Sequence, residues 1–368
     1  MKSINRRRLS LIALMAANCG LFSFCVLNSD CVFAAVRSDS SCAGCPADYA
    51  KGVSAYASGN YAAVIRYMQS AQHDQPTRTD ALLYEARAFL QLQQSSQAET
   101  AARNYVALHP GSADAHFLLG YAYFRESRPK RSLVEYTAGA RLHPPDADAL
   151  AVVALDYVLL HDYTDADRWL TQATHMAPAN AQYWYYLGRA RYNENRFQEA
   201  VDAFRECLKL DAHNAKALNN LGLAHQGLGQ MPKAIQDFQT AIRYQAMQGK
   251  PDAQPYLDLG DLLLSQGKLK QATVLLEKSA EMAPRNPKVH EELGKAYEQA
   301  NLLRQAQVEL QKAVALAPQI SSLHFELGRV YKKEGLNKSA QQEFSKCAAI
   351  NGSQSTDNAE TPNPDGRG

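Results

Sequence analysis

The residues of this chain whose types and spacing could do chemistry are few. Cys42-Ala43-Gly44-Cys45 has the spacing of a redox pair, half a zinc site or a haem attachment. A thioredoxin-like site needs a βαβ context, and none is visible. Haem attachment needs His after Cys45, and Pro46 stands there. One such pair supplies two zinc ligands where a structural site needs four. The pair reads as a structural or inert disulfide, with redox activity as the alternative. His290-Glu291-Glu292-Leu293-Gly294 begins like a zinc-protease motif. Gly294 replaces the second His, so the two-ligand helix face is lost. Gly227-Leu228-Gly229 cannot open a dinucleotide loop, because Pro232 stands at the third Gly. Asp146 and Asp148 could pair as an acidic site, but they fall at a helix start, where carboxylates cap the helix and complement its dipole. No GxSxG or GxxxxGK[ST] is present. The chain is expected to be no enzyme and to need no cofactor or metal.

The elements that would position any site are set by a period. Pro76, Pro110, Pro144 and Pro178 are each 34 residues apart, and the beat returns at Pro284 and Pro318. A period of this size means stacked repeats, each contacting only its neighbours. Frames begin at Cys45, Thr79, Ala113, Ala147, Ala181, Ala215, Ala253, Pro287 and Ser321. They bound nine units, 45–78, 79–112, 113–146, 147–180, 181–214, 215–252, 253–286, 287–320 and 321–352. The sixth holds four extra residues around Gln248-Gly249-Lys250-Pro251.

Each unit predicts two antiparallel helices with one apolar face apiece. Gly costs about 1 kcal/mol against Ala inside a helix. Yet it recurs at one phase in Gly52, Gly120, Gly188, Gly222, Gly260, Gly294 and Gly328. Close helix approach offsets that cost. Ala98, Ala166, Ala200, Ala234, Ala272, Ala306 and Ala340 serve the same approach from the second helix. Asn195-Arg196, Gly229-Gln230 and Gly335-Leu336 read as turns, and the periodic Pro ends each second helix. His116, His290 and His324 share one repeat position with Trp184, which marks them as helix-packing residues. Cys207 and Cys347 share another with Ala241 and Ala313 and read as small core residues.

Trp184, Leu187-Gly188, Ala200 and Phe204 of the fifth unit carry a resemblance. So do Leu293-Gly294, Tyr297, Ala306, Ala313 and Pro318 of the eighth, and Leu327-Gly328, Tyr331, Ala340 and Phe344 of the ninth. The chain resembles the tetratricopeptide repeat (TPR) family over residues 45–352. Val64 and Glu85-Ala86 depart from the pattern in the first two copies, and Arg191 in the fifth. The resemblance implies an all-α, right-handed superhelical solenoid. It also implies that the first helices line a groove that binds protein or peptide.

That groove stripe can be read at spacing i, i+4, i+7 along each first helix. Copies one to five supply Tyr49 and Tyr56; Leu83, Tyr84 and Arg87; Phe117, Tyr121 and Phe124; Leu155; and Tyr185, Tyr186, Arg189 and Tyr192. Copies six to nine supply Asn219 and Asn220; Asp258 and Asp261; Glu291 and Lys295; and Arg329. The groove should be aromatic in its first half and mixed-charge in its second. Its expected partner is a protein or extended segment carrying apolar or aromatic residues, with the charged half setting register. Packing of the aromatics against neighbouring first helices is the competing reading. A carboxylate clamp of the kind some TPR proteins carry is rejected. Asn220 matches its central Asn, but Tyr185, Arg189, Gln254 and Asp258 stand where its other members belong. Asn220 reads as a local hydrogen-bonding residue.

Residues 1–35 read as an export signal. Lys2 and Arg6 to Arg8 precede an apolar run from Leu9 to Leu27, with Val32-Phe33-Ala34-Ala35 as a small-residue cleavage site. An uncleaved anchor through residues 9–27 is the alternative. The expected location is periplasmic or secreted. A net charge of +2 argues against a nucleic-acid partner. Residues 36–44 read as a linker and 353–368 as a disordered tail. A second functional reading closes the groove on another copy of the chain as a homodimer.

Overall fold

The computed structural model describes residues 47–249 and 251–357. The expected signal or anchor, the linker, Cys42, Cys45, Lys250 and the end of the tail from 358 lie outside the described residues. Among those described, all regular structure is helical, in eighteen helices. The chain divides between Ala212 and His213 into two compact units.

The N-terminal unit holds repeats 1–5. Its first helices are α1 (Ala47–Ala57), α3 (Asp80–Gln91), α5 (Ala113–Arg125), α7 (Ala147–Leu159) and α9 (Ala181–Asn193). Their partners are α2 (Tyr61–Asp74), α4 (Ser95–Leu108), α6 (Pro129–Leu142), α8 (Tyr163–Met176) and α10 (Phe197–Leu210). The C-terminal unit holds repeats 6–9. Its first helices are α11 (Ala215–Gly227), α13 (Gln254–Ser265), α15 (Pro287–Gln299) and α17 (Ser321–Lys333). Their partners are α12 (Met231–Met247), α14 (Leu269–Met282), α16 (Leu303–Leu316) and α18 (Asn337–Asp357).

The period is written into the caps. Ser112, Asp146, Asn180, Asn214 and Asn286 each stand just before a first helix and accept a hydrogen bond from a backbone N–H of its first turn. At the other end of each first helix one residue takes a left-handed conformation. These are Gly59, Gln93, Ser127, His161, Asn195, Gly229, Gly267, Asn301 and Gly335. The following N–H reaches back five residues, as in Gln94 to Phe89 (2.8 Å), while that of Gln93 reaches Leu90 (3.0 Å). This double bond pattern closes the helix and turns the chain antiparallel.

The recurring Gly is where the two helices of a repeat touch. A Cβ on Gly188 would stand 2.6 Å from the Phe204 ring, and one on Gly260 2.7 Å from Leu276. Phe204 and Leu276 are fully buried, so the missing Cβ is the space they fill. The periodic histidines staple repeats together. Nδ1 of His116, His290 and His324 faces Glu135, Glu309 and Glu343 on the second helix of the same repeat. Nε2 faces the carbonyl of Pro110, Pro284 or Pro318 from the repeat before. Trp184 donates its Nε1–H to Pro178 in the same way.

Four details differ from the sequence reading. Asp146 caps α7, but Asp148 accepts from the Tyr183 hydroxyl of the next first helix instead of capping. The insertion in repeat 6 lengthens α12 to 17 residues before Gly249 turns the chain at φ 63°. Helix α18 runs to Asp357, so 353–357 are helical; no Pro interrupts propagation before Pro362. Cys207 is a fully buried core residue, whereas Cys347, in the last repeat, is only half-buried.

Candidate peptide-binding groove

Within each unit, successive first helices touch one another: α1 with α3, α3 with α5 and α5 with α7, with α7 linked to α9 through Asp148 and Tyr183, then α11 with α13, α13 with α15 and α15 with α17. The second helices reach the next repeat chiefly through its first helix. The first helices therefore form a continuous layer, and the stripe residues lie along it.

In repeats 1 and 2 the stripe is a tyrosine cluster. The Tyr49 hydroxyl donates to Asp80 Oδ2 at 2.6 Å. Its ring meets Tyr84 edge-on at 6.0 Å, and Tyr84 meets Tyr56 edge-on at 5.5 Å. Burial pushes the Tyr84 phenol up. Leu83 is half-buried beside them. Arg87 is 3% exposed, and burial pulls its guanidinium below the ordinary arginine value against the pull of Tyr56. Tyr121 and Phe124 stack at 6.0 Å, and both are buried, as is Leu155. In repeat 5, Tyr185 sits between Tyr186 (5.8 Å) and Phe204 (6.2 Å). Arg189 lies 5.9 Å from the Tyr185 ring, and Tyr192 packs on Phe197.

In repeats 3, 5 and 9 the first residue of the triplet turns toward its own second helix. Phe117 stacks on Tyr136 at 5.7 Å and fills the space over Gly139; Tyr185 meets Phe204, and Phe325 meets Phe344. Most stripe aromatics are packed against neighbours. Tyr56 and Tyr192 remain half-buried.

The stripe of the C-terminal unit is a hydrogen-bonded charge network. Asn219 and Gln254 donate to the two oxygens of Asp258 at 2.7 and 2.8 Å. Burial nevertheless raises the Asp258 carboxyl to about 7. Asp261 is exposed. Lys288 and Lys295 lie at 2.5–3.1 Å from both Glu291 and Glu292. Burial would raise Glu292, but the two lysines hold it below the usual carboxylate range. Arg329 reaches Glu298 through Nε (2.9 Å) and Nη2, and Glu326 at 2.6 Å; Lys333 adds a bond to Glu298 at 2.8 Å. Asn220 donates to the Lys216 carbonyl at 2.8 Å, the local bond its sequence position suggested.

Glu292 and Glu298 lie on the stripe that helical spacing gives for copy eight, whereas Lys288 and Lys333 belong to this network and are missing from the sequence-based stripe. The signal was available in the repeat phase. Tyr49 and Asp80, and Glu298 and Arg329, are both 31 residues apart, which is one repeat less one helical step. Among the described residues, no group of three His, Cys, Asp or Glu side chains could hold a metal ion. No described helix is long and apolar enough to cross a membrane.

Family models of the tetratricopeptide repeat match residues 83–147, 154–215, 214–285, 263–324 and 321–354. Tetratricopeptide repeat-containing protein trd-1 of Caenorhabditis elegans is 28% identical over 158 residues, 42% of this chain and 20% of that protein. BBSome complex member BBS4 of Bos taurus is 24% identical over 154 residues, 42% of this chain and 29% of that protein. The chain thus spans less than a third of the curated relatives it matches. Among solved structures, the APC/C hetero-tetramer Cut9-Hcn1 gives a TM-score of 0.53 at 16% identity, over 79% of this chain and 60% of that one. A tetratricopeptide repeat protein of Parabacteroides merdae gives 0.53 at 13%, over 68% and 97%. PilW, a type IV pilus biogenesis factor, gives 0.51 at 20%, over 55% and 92%. These likenesses show a shared fold.

Proposed function

Because the chain belongs to the tetratricopeptide repeat family, we propose that it is a non-enzymatic scaffold that binds protein or extended peptide along its first-helix layer. The observation that carries this reading is the continuity of that layer within each unit. Side chains of one first helix interlock with those of the next, as Tyr49 with Asp80 and Arg329 with Glu298. A segment laid across them meets fixed groups with little ordering left to do.

The partner is a segment with apolar or aromatic residues, taken by the half-buried rings of Tyr56 and Tyr192. Alternating charge beside it complements the Lys288–Glu298–Arg329 network. The apolar run and small-residue site in residues 1–35 support an exported location, and with it a role as an assembly or adaptor factor of an envelope or secreted complex.

The test is affinity capture with the chain carrying Tyr56→Ala and Tyr192→Ala, compared with Lys295→Glu and Arg329→Glu. A partner lost from one pair of variants locates recognition in that unit. Light scattering on the same samples tests the homodimer: a concentration-dependent doubling of mass that the groove substitutions abolish favours self-association.

A further inference from the structure

The junction of repeats 3 and 4 departs from every other junction in chemistry. Ser132 on α6 stands where other repeats place Ala166, Ala200 or Ala234. Tyr136, one turn on, stands where they place Leu170, Phe204 or Phe238. Asp156 on α7 stands where they place Ala122, Ala190 or Ala224. Three positions that are apolar in the other repeats, save Ser54 of repeat 1 at the Asp156 position, thus carry a hydroxyl, a phenol and a carboxyl at one interface. Asp156 and Ser132 are fully buried and Tyr136 is 3% exposed. Ser132 Oγ, the Tyr136 hydroxyl and both Asp156 oxygens lack a well-directed hydrogen bond.

A buried carboxylate without a cation is costly, so burial favours the neutral acid. Burial raises Asp156 to about 8, and the nearby Ser132 hydroxyl only partly opposes it. Burial, then the Asp156 charge, pushes the Tyr136 phenol up; Tyr121 on α5, and Asp146 and Asp148 at the start of α7, add to that. Several charged groups on the packed helices are engaged elsewhere. On α6, Glu135 faces His116, and Arg131 lies near the Tyr123 ring. Arg128, before α6, holds Glu99 and Glu126. On α5, Arg125 lies near the Tyr121 ring. On α8, Asp165 faces Arg168, and Asp167 holds Arg191 and Arg196.

We propose that Ser132, Tyr136 and Asp156 form a proton-sensitive joint between repeats 3 and 4, closed while Asp156 is protonated and loosened by water when it ionises. Tyr121 on α5 acts on Tyr136, and Leu155 precedes Asp156 on α7, so opening changes the spacing of the first-helix layer. The folded value of Asp156 lies above the ordinary 3.8 of the unfolded chain. Its folded form therefore binds more protons, and the joint weakens as pH rises between the two values, levelling off above the folded one.

Amide hydrogen exchange of α6 and α7 from pH 6 to 9 tests this, without any ligand. Asp156→Ala, which installs the residue other repeats carry, serves as the reference and removes the intrinsic pH dependence of exchange. Protection in the wild type should fall relative to Asp156→Ala by up to about tenfold per pH unit until near pH 8, then level. Asp156→Asn, neutral and of the same shape, should follow Asp156→Ala. A wild-type to variant ratio independent of pH for both substitutions would overturn the proposal. If Asp156→Ala does not keep its helical circular dichroism, the triple variant Ser132→Ala, Tyr136→Phe, Asp156→Ala replaces it as the reference.

Discussion

His290 faces Glu309 across 2.6 Å at Nδ1, and its Nε2 faces the Pro284 carbonyl across 3.0 Å. Both partners are acceptors, so both ring nitrogens must donate, and only the imidazolium can do that. The hydrogen bond that His290 donates to Glu309 raises the His290 value above its ordinary one, against the cost of burial.

A pH dependence follows with a definite sign. A histidine raised on folding adds stability that is full below the unfolded value of 6.5 and is lost as pH rises through the folded one. Exchange protection around α15 and α16 should therefore fall as pH rises above 6.5. Replacing His290 by Trp and Glu309 by Ala copies repeat 5, which has Trp184 and Ala203. That double variant should keep the Pro284 bond and lose the pH dependence. His290→Ala alone, which leaves the carbonyl without its donor and Glu309 with Lys312 only, should cost about 1–3 kcal/mol.

Gly188→Ala should destabilise repeat 5 by about 1–3 kcal/mol, since the added carbon meets the Phe204 ring at 2.6 Å inside a full core. Urea unfolding followed by circular dichroism measures it. An effect below a few tenths of a kcal/mol would mean that the two helices separate easily.

Gln93, Ser127 and His161 hold left-handed conformations at φ 60°, 56° and 61°. Side chains strain that geometry, while Gly costs more entropy on folding. Gly at each of the three should stabilise its repeat by about 0.5–1 kcal/mol, as it already serves at Gly229, Gly267 and Gly335. Asn195 and Asn301 should gain less, because Asn tolerates the conformation. Thermal melts of the single variants decide the ranking.

Most of the fold was legible because it depends on repetition. Pro, Gly and Ala recur at one phase, and each occurrence repeats one local geometry, as at Gly188 with Phe204. The aromatic stripe was legible in position but not in direction. Helical spacing puts Phe117 and Tyr121 on one stripe, yet Phe117 turns to Gly139 in its own repeat, because that Gly leaves room for a ring. Glu298 and Arg329 both fall on the stripe, but their contact escaped because spacing along one helix does not report contact with the next. Asp156 escaped for another reason: it sits in sequence among Leu155 and Tyr157 on an apolar helix, and only the stacked repeats show that its carboxyl is enclosed.

Recognition along the first-helix layer is the central claim, and one capture experiment tests it most directly. The chain is crosslinked to its partners in native extract and compared with two variants, Tyr56→Ala with Tyr192→Ala, and Lys295→Glu with Arg329→Glu. Each variant must first show the wild-type helical circular dichroism. The account predicts that at least one variant loses a partner by tenfold or more, while Arg205→Glu on the second helix α10 retains it. Full retention by both first-helix variants, with loss in Arg205→Glu, would contradict it and move recognition to the second helices.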